Sequence, residues 1–266
     1  MRRDSGHTHG RICDRVCEMS AFSAEETAAF LATHFRERTA GAPISHGPAT
    51  RSEAYRVQDL MIAALGDHPC GWKVGRAKTD PEPYCAPLPA LRRLASAGSY
   101  ARHHGVARLE AELGLRLGRD VPVSRTVLGR AECAELIDAI VPAIEILDTR
   151  LAGPQADDPL WKLADLQGNG GLVLGAPVPW TGQDLGEVSL AIGKDGEGQA
   201  AMVRHPFGEP FDLFCWTVNH VARHRNGLRR GTVIITGSYC GIVELGTGHR
   251  FVATFPEYGQ VSLDVV

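Results

Sequence analysis

No stretch of this chain approaches the roughly eighteen consecutive apolar residues of a membrane-spanning helix, so none is expected. Behind Arg2 and Arg3 there is no apolar segment either, which argues against a secretory leader. Basic residues are not in excess. Lys and Arg number 28 against 31 Asp and Glu, a net charge of −3, so no basic face for nucleic acid is advertised. The seven cysteines, at 13, 17, 70, 85, 133, 215 and 240, are odd in number and irregular in spacing. They form no disulfide framework and imply reduced thiols in a cytoplasmic setting. His7, His9, Cys13 and Cys17 match no zinc spacing. Internal repeats and low-complexity tracts are also missing.

What is present is ordinary globular material, 44% hydrophobic and 22% charged over 266 residues. That suffices for one large domain, or for a core with a smaller helical part. Residues 1–20 read as a disordered N-terminus, 21–68 as a helical cap, and 69–266 as a β-rich core continuous with that cap.

Ser23-Ala-Glu-Glu26 carries a capping-box signal, so a helix is expected from there to about Arg38. Residues 39–48 read as a loop. Ser52 is the expected cap of a second helix, with Ala54, Val57, Met61 and Ala64 on one face and Gly66 beyond its end. Trp72-Lys-Val74 is a short glycine-flanked strand. Residues 79–89 hold four prolines and are expected to be a loop. Within 128–141, Cys133, Leu136, Ile137 and Ile140 have helical spacing. Residues 172–174 and 188–192 are strand-like. Pro210 opens a helix with Phe211, Phe214, Val218 and Val221 inward, closed by Asn226-Gly227. Thr232 to Thr236 is a buried β-branched strand, and 251–255 and 260–265 are strands. Many short strands with few helices predict an α+β fold on mixed sheets, not a doubly wound parallel one.

The chemistry concentrates in 109–117. Leu109, Ala111, Leu113, Leu115 and Leu117 alternate with Glu110, Glu112, Gly114 and Arg116, the period of a half-buried strand. Glu110 and Glu112 therefore leave the strand from one face. Adjacent carboxylates repel unless a cation lies between them, and a hard divalent ion prefers oxygen ligands. Glu145 sits inside the apolar run 141–147, where a carboxylate is costly unless paired or bound to metal. A solvated strand face and a rim glutamate are the bland alternative. Lys73, between Trp72 and Val74, is a candidate acid or base whose pKa desolvation would lower, or a cationic anchor for a carboxylate; an ordinary salt bridge is the bland alternative. Ser238 and the amides beside Gly237 could bind an oxyanion. Cys240 lacks a neighbouring His and reads as a small buried cysteine. His205 and His224 lie in no motif and read as structural or exposed.

Gly71-Trp-Lys-Val-Gly75, Leu109 to Asp120, Pro142 to Arg150, Gly227 to Ser238 and His249-Arg-Phe251 follow one another in a familiar order. The chain from about Ala54 onward resembles the 2-keto-4-pentenoate hydratase / 4-oxalocrotonate decarboxylase branch of the fumarylacetoacetate hydrolase superfamily. The resemblance implies a mixed β-sandwich roll, fumarylacetoacetase C-terminal-domain-like, with an N-terminal helical cap. It implies Mg²⁺ or Mn²⁺ on Glu110, Glu112 and Glu145, with Lys73 and Asp165 catalytic. Thr236, Gly237 and Ser238 would line the substrate pocket, and Lys162 is a further substrate-binding candidate. Leu166 stands where that branch has asparagine, leaving Gln167 or Asn169 to supply a polar contact. After Gly75 comes Arg76 where the hydratases continue with Leu-Thr. The implied activity is a metal-dependent lyase working on a small 2-oxo acid through a metal-stabilised enolate. An acylpyruvate hydrolase and a non-catalytic 2-oxo acid binder are the alternatives. A homo-oligomer is expected, because the apolar faces of the two N-terminal helices need a partner surface.

Overall fold

The computed structural model describes residues 21–43, 46–77, 81–101 and 106–266. The expected disordered terminus and the His7–Cys17 group lie outside them. Helix α1, Ala24–Glu37, is capped by Ser23, whose hydroxyl accepts from the Glu26 amide at 3.2 Å. Helix α2, Arg51–Leu65, is capped by Thr50 and not by Ser52. Thr50 and Glu53 form the reciprocal capping box two residues earlier than expected, and Gly66 ends the helix with φ 66°. Their apolar faces, including Leu31, Phe35, Val57 and Met61, bury against one another and against Trp161 and Leu163. Those two residues belong to a short helix, Pro159–Ala164. Gln58 ties the cap to the core by donating to the carbonyls of Leu163 (2.6 Å) and Cys85 (3.2 Å). The faces thought to need a partner molecule are therefore covered within the chain, which removes that ground for a homo-oligomer.

The β-rich part begins with β1, Pro69–Gly75, and β2, Tyr84–Pro89. The second of these corrects the expected 79–89 loop. Residues 78–80 lie outside the described residues, but from Tyr84 the chain is an edge strand, antiparallel to β1 with Lys73 opposite Ala86. An edge position tolerates proline because the missing N–H faces away from the ladder. Strands β3, Arg93–Ala95, and β4, Gly98–Tyr100, lead to the long β5, Ala107–Leu117. Then come helix α3, Arg130–Ala134, and β6, Ile137–Leu147. The helix expected over 128–141 is thus only five residues long. Short apolar runs do not separate helix from strand by period alone, and Ile137 and Ile140 are claimed by the ladder with β5.

The remaining elements are α4, Pro159–Ala164, β7, Asn169–Leu174, β8, Val178–Pro179, β9, Glu187–Lys194, and β10, Ala201–Arg204. Helix α5, Pro210–His224, is followed by β11, Val233–Ile235, β12, Val243–Leu245, β13, His249–Phe255, and β14, Gly259–Val265. One sheet runs β2-β1-β11-β5-β6-β7-β3, with β12 beside β5 and β8 beside β6; the other runs β10-β9-β13-β14-β4. The larger sheet rolls on itself. A Cβ on Gly71 of β1 would lie 3.6 Å from Leu172 of β7 and 2.6 Å from the Val233 carbonyl. Only glycine allows that approach. Inside the roll Leu88, Val141, Ala143, Leu172, Val233 and Ile235 form a small apolar plug.

The outer face of β5 packs into the main core. Leu109, Leu113, Leu115 and Leu117 join Phe214 and Val218 of α5 and Phe251 and Phe255 of β13. Truncating any of these leucines to alanine removes about 2–5 kcal/mol. Strand β5 is thus buried on both faces, where alternation suggested one solvated face. The inner face carries Glu110, Glu112 and Gly114. Among the described residues no helix is long and apolar enough to cross a membrane.

Candidate metal and substrate site

Antiparallel pairing of β5 with β6 sets Glu110 directly opposite Glu145 and Glu112 opposite Ala143. One carboxylate oxygen from each of Glu110, Glu112 and Glu145 comes within 4.8 Å of the others. Glu112 and Glu145 are buried, and Glu110 is half-buried. The roll brings Lys73 across from β1, and its Nζ donates to Glu145 Oε1 at 2.6 Å. The same ammonium donates to the Gln167 carbonyl at 3.3 Å. Asn169 Nδ2 donates to Glu145 Oε1 at 2.8 Å, while Glu145 Oε2 is buried without a partner. The Gly237 amide donates to Glu112 Oε2 at 2.7 Å.

Burial pushes the Glu112 carboxyl well above the usual range, and the neighbouring Glu145 and Glu110 add to the shift. Burial followed by Glu145 raises Glu110 as well. Burial pulls the Lys73 ammonium down, as expected from sequence. The charge and hydrogen bond of Glu145, helped by Glu110 and Glu112, outweigh it, so the net shift is upward. The lysine is held protonated by the acids that surround it.

These groups open onto a cleft of about 300 Å³, whose other walls include Tyr84, Gln167, Pro206, Phe207 and Ser238. Three wall residues, Tyr84, Pro206 and Phe207, come from segments without a recognisable motif. Arg76 donates to the Phe207 carbonyl at 3.2 Å and so ties two wall segments together. Ser238 Oγ donates to the Gly241 carbonyl at 3.0 Å and accepts from the Cys240 amide at 3.3 Å. Thr236 lies buried just behind the turn. The Gly237 amide is committed to Glu112, so it holds a carboxylate in place and is not a vacant oxyanion donor. Cys240 accepts from the Ala111 amide at 3.4 Å, and burial pushes its thiol up.

Two candidates fall elsewhere. Lys162 is half-exposed and pairs with Asp157 at 3.5 Å. The buried side of its short helix is Trp161, Leu163 and Ala164. Asp165 is wholly buried, accepting from Arg150 Nε (2.6 Å), the Arg150 amide (3.0 Å) and Thr149 Oγ1 (2.9 Å). Its carboxylate is consumed by that network and is absent from the cleft wall. Arg150, which the motifs did not single out, also donates to the Asn169 and Asp165 carbonyls. It therefore braces the segment that delivers Gln167 and Asn169. Within that segment Leu166 and Gln167 both have left-handed backbone, φ 51° and 56°, a costly pair for non-glycine residues. The turn aims the Gln167 carbonyl at Lys73 and sends the Leu166 side chain into the cap's apolar cluster. Of the two polar candidates there, Gln167 lines the cleft and Asn169 donates to Glu145.

No family model matches the chain. It is 28% identical over 167 residues to a 2-keto-4-pentenoate hydratase of Paraburkholderia xenovorans (strain LB400), covering 58% of this chain and 57% of that protein. It is 27% identical over 168 residues to 2-keto-4-pentenoate hydratase 1 of Dechloromonas aromatica (strain RCB), with 58% and 59% covered. The matched part thus spans less than two thirds of these curated relatives. Among solved structures, 4-oxalocrotonate decarboxylase from Pseudomonas putida G7, complexed with magnesium and adipate, superposes with a TM-score of 0.74. That match covers 93% of this chain and 100% of the other at 18% identity. Fumarylpyruvate hydrolase from Pseudomonas aeruginosa, in complex with Mn²⁺ and pyruvate, gives 0.54 over 73% and 88% at 18% identity. The chain shares the fold of these solved structures, an α+β architecture of mixed sheets. It resembles the 2-keto-4-pentenoate hydratase / 4-oxalocrotonate decarboxylase branch of the fumarylacetoacetate hydrolase superfamily.

Proposed function

We propose that this chain is a metal-dependent lyase, a hydratase or decarboxylase, acting on a small 2-oxo acid. Glu110, Glu112 and Glu145 would hold Mg²⁺ or Mn²⁺. The observation that carries the reading is the buried, unpartnered Oε2 of Glu145 inside a cluster of three converging carboxylates. Three carboxylates against the single ammonium of Lys73 leave two negative charges, the complement of a divalent ion. An all-oxygen donor set suits a hard cation. The names of the relatives, hydratase and decarboxylase, point to the same chemistry.

A bound divalent ion would supply Lewis acidity towards the keto oxygen of the substrate. The chain's own residues supply the rest. Lys73, held protonated beside Glu145 and open to the cleft, keeps a proton on Nζ at the reacting end. The Gln167 carbonyl and Glu145 fix the direction in which that proton points. Gly237 and Asn169 hold Glu112 and Glu145 in place before any ligand arrives, which lowers the reorganisation required on binding. Ser238, whose proton goes to the Gly241 carbonyl, lines the cleft with Phe207 and Pro206 where the substrate would sit.

The test is exchange of the C3 protons of short and long 2-oxo acids in D₂O, followed by NMR with and without Mg²⁺ or Mn²⁺. Metal-dependent exchange is expected. Its absence in protein shown to bind the metal would leave only a binding protein. Release of CO₂ would select the decarboxylase, water addition the hydratase, and pyruvate release from acylpyruvates a C–C hydrolase instead.

A further inference from the structure

His205 follows β10 and stands immediately behind the site, only 4% exposed. Its Nδ1 accepts from the Phe207 amide at 3.3 Å. A neutral ring with an accepting Nδ1 carries its proton on Nε2. Burial holds the ring's pKa down at about 4, against a smaller opposite pull from the Thr236 backbone, so it is neutral near pH 7. The ring is clamped edge-on between Tyr239, centroids 5.2 Å apart, and Phe207 at 5.9 Å. Its Nε2 is buried with no hydrogen-bond partner of good geometry. Thr236 Oγ1, in the adjoining turn, is likewise buried and unpartnered.

What Nε2 faces is the Thr236–Gly237 peptide. A Cβ on Gly237, where φ is 129°, would lie 3.3 Å from Nε2 and 3.2 Å from the Phe207 ring. The Gly237 amide in turn donates to Glu112 Oε2 at 2.7 Å. A buried donor without a good partner costs about 1–3 kcal/mol, a cost that an apolar side chain of similar volume would not incur. Packing alone therefore does not account for an imidazole at this position.

We propose that His205 is a positioning residue. Its Nε2–H braces the Thr236–Gly237 peptide from behind and so holds the Gly237 amide on the Glu112 carboxylate. The link from Glu112 to a metal rests on the function proposed above; the link from His205 to Gly237 does not.

The experiment separates the two. Three full-length proteins are compared: wild type, His205→Gln, which returns an N–H near the Nε2 position, and His205→Leu, which fills space without a donor. In metal-free protein, hydrogen exchange of the Gly237 amide is read by ¹⁵N NMR. His205→Leu should speed it by about tenfold relative to the β5 amides, a local opening effect, and His205→Gln should restore protection. Mn²⁺ affinity by EPR should fall by about tenfold in His205→Leu and recover in His205→Gln, the usual size for a group that orients a ligand. Unchanged Gly237 exchange in a folded His205→Leu protein overturns the proposal. If that variant does not fold, the ring tautomer of wild-type His205 decides, and a proton on Nδ1 overturns it. Should wild type bind no Mn²⁺, the metal reading falls, while Gly237 exchange and the tautomer still decide the role of His205.

Discussion

Glu110 and Glu145 face each other across the β5–β6 ladder, and each is a carboxylate withdrawn largely or wholly from water. Like charges in directly opposed positions destabilise a sheet by up to about 1 kcal/mol. A shared place in the proposed metal site would account for the pair. Glu110→Gln is therefore expected to raise the melting temperature of the metal-free protein while abolishing the stabilisation that added Mg²⁺ or Mn²⁺ gives wild type. Differential scanning fluorimetry with and without metal checks both halves. A Glu110→Gln protein that gains as much from the ion as wild type does would remove Glu110 from the ligand set.

The ion pair of Lys73 and its proposed part in the chemistry can be separated by a single variant. The Lys73 ammonium is the charge partner of Glu145, which is fully buried. Breaking a buried pair by deleting one member costs about 3–5 kcal/mol. Lys73→Met should thus melt early without metal and regain part of the loss with Mn²⁺, which would replace the missing positive charge. Turnover should nevertheless stay about a hundredfold or more below wild type, the scale for losing an acid–base group. Full recovery of both stability and rate on adding metal would reduce Lys73 to a structural counter-ion.

The legible part of this site was the part written as a short period. Glu110 and Glu112 alternate with leucines, and Glu145 interrupts an apolar run; both patterns follow directly from strand geometry. Lys73 was legible by resemblance, but its electrostatics were not. Desolvation could be inferred from Trp72 and Val74, whereas its net upward shift depends on Glu145, 72 residues away in sequence. Asp165 and Lys162 rest on the resemblance alone. Only the fold shows that Arg150 occupies the first and that the second is half-exposed and paired with Asp157. Strand β2 was hidden because proline signals a loop until an edge position is known. His205 had no local pattern at all; its place is set by β10 and by the turn at Gly237.

Acid should expose the buried imidazole. His205 is held at about 4, below the ~6.5 of an unfolded histidine. As pH falls the unfolded chain takes up this proton first, so the stability tied to the neutral ring is present above about 6.5 and is lost between 6.5 and 4. Glu110 and Glu112 act in the opposite direction, because their folded carboxyls are raised and protonate first in the native state. The difference between wild type and His205→Gln isolates the histidine. Urea unfolding should show the variant gaining on wild type by up to about 1.4 kcal/mol per pH unit across that window. Parallel stability curves would mean that the ring titrates normally.

Asp165 and Lys162 provide the sharpest contrast between motif and placement. Asp165 accepts three hydrogen bonds from Arg150 and Thr149 and does not border the cleft. Asp165→Asn leaves the shape but removes the charge that faces the buried guanidinium. It should cost about 3–5 kcal/mol of stability, the scale for an uncompensated buried ion. The rate per folded molecule should stay within about tenfold of wild type, since losing a true acid–base group costs about 10²–10⁴. Lys162→Ala removes a half-exposed ion pair worth about 0–1 kcal/mol and should leave both melting temperature and KM unchanged. Steady-state kinetics normalised to the folded fraction decides the matter. A KM that rises sharply in Lys162→Ala, or a rate lost in Asp165→Asn without loss of stability, would return those residues to the chemistry.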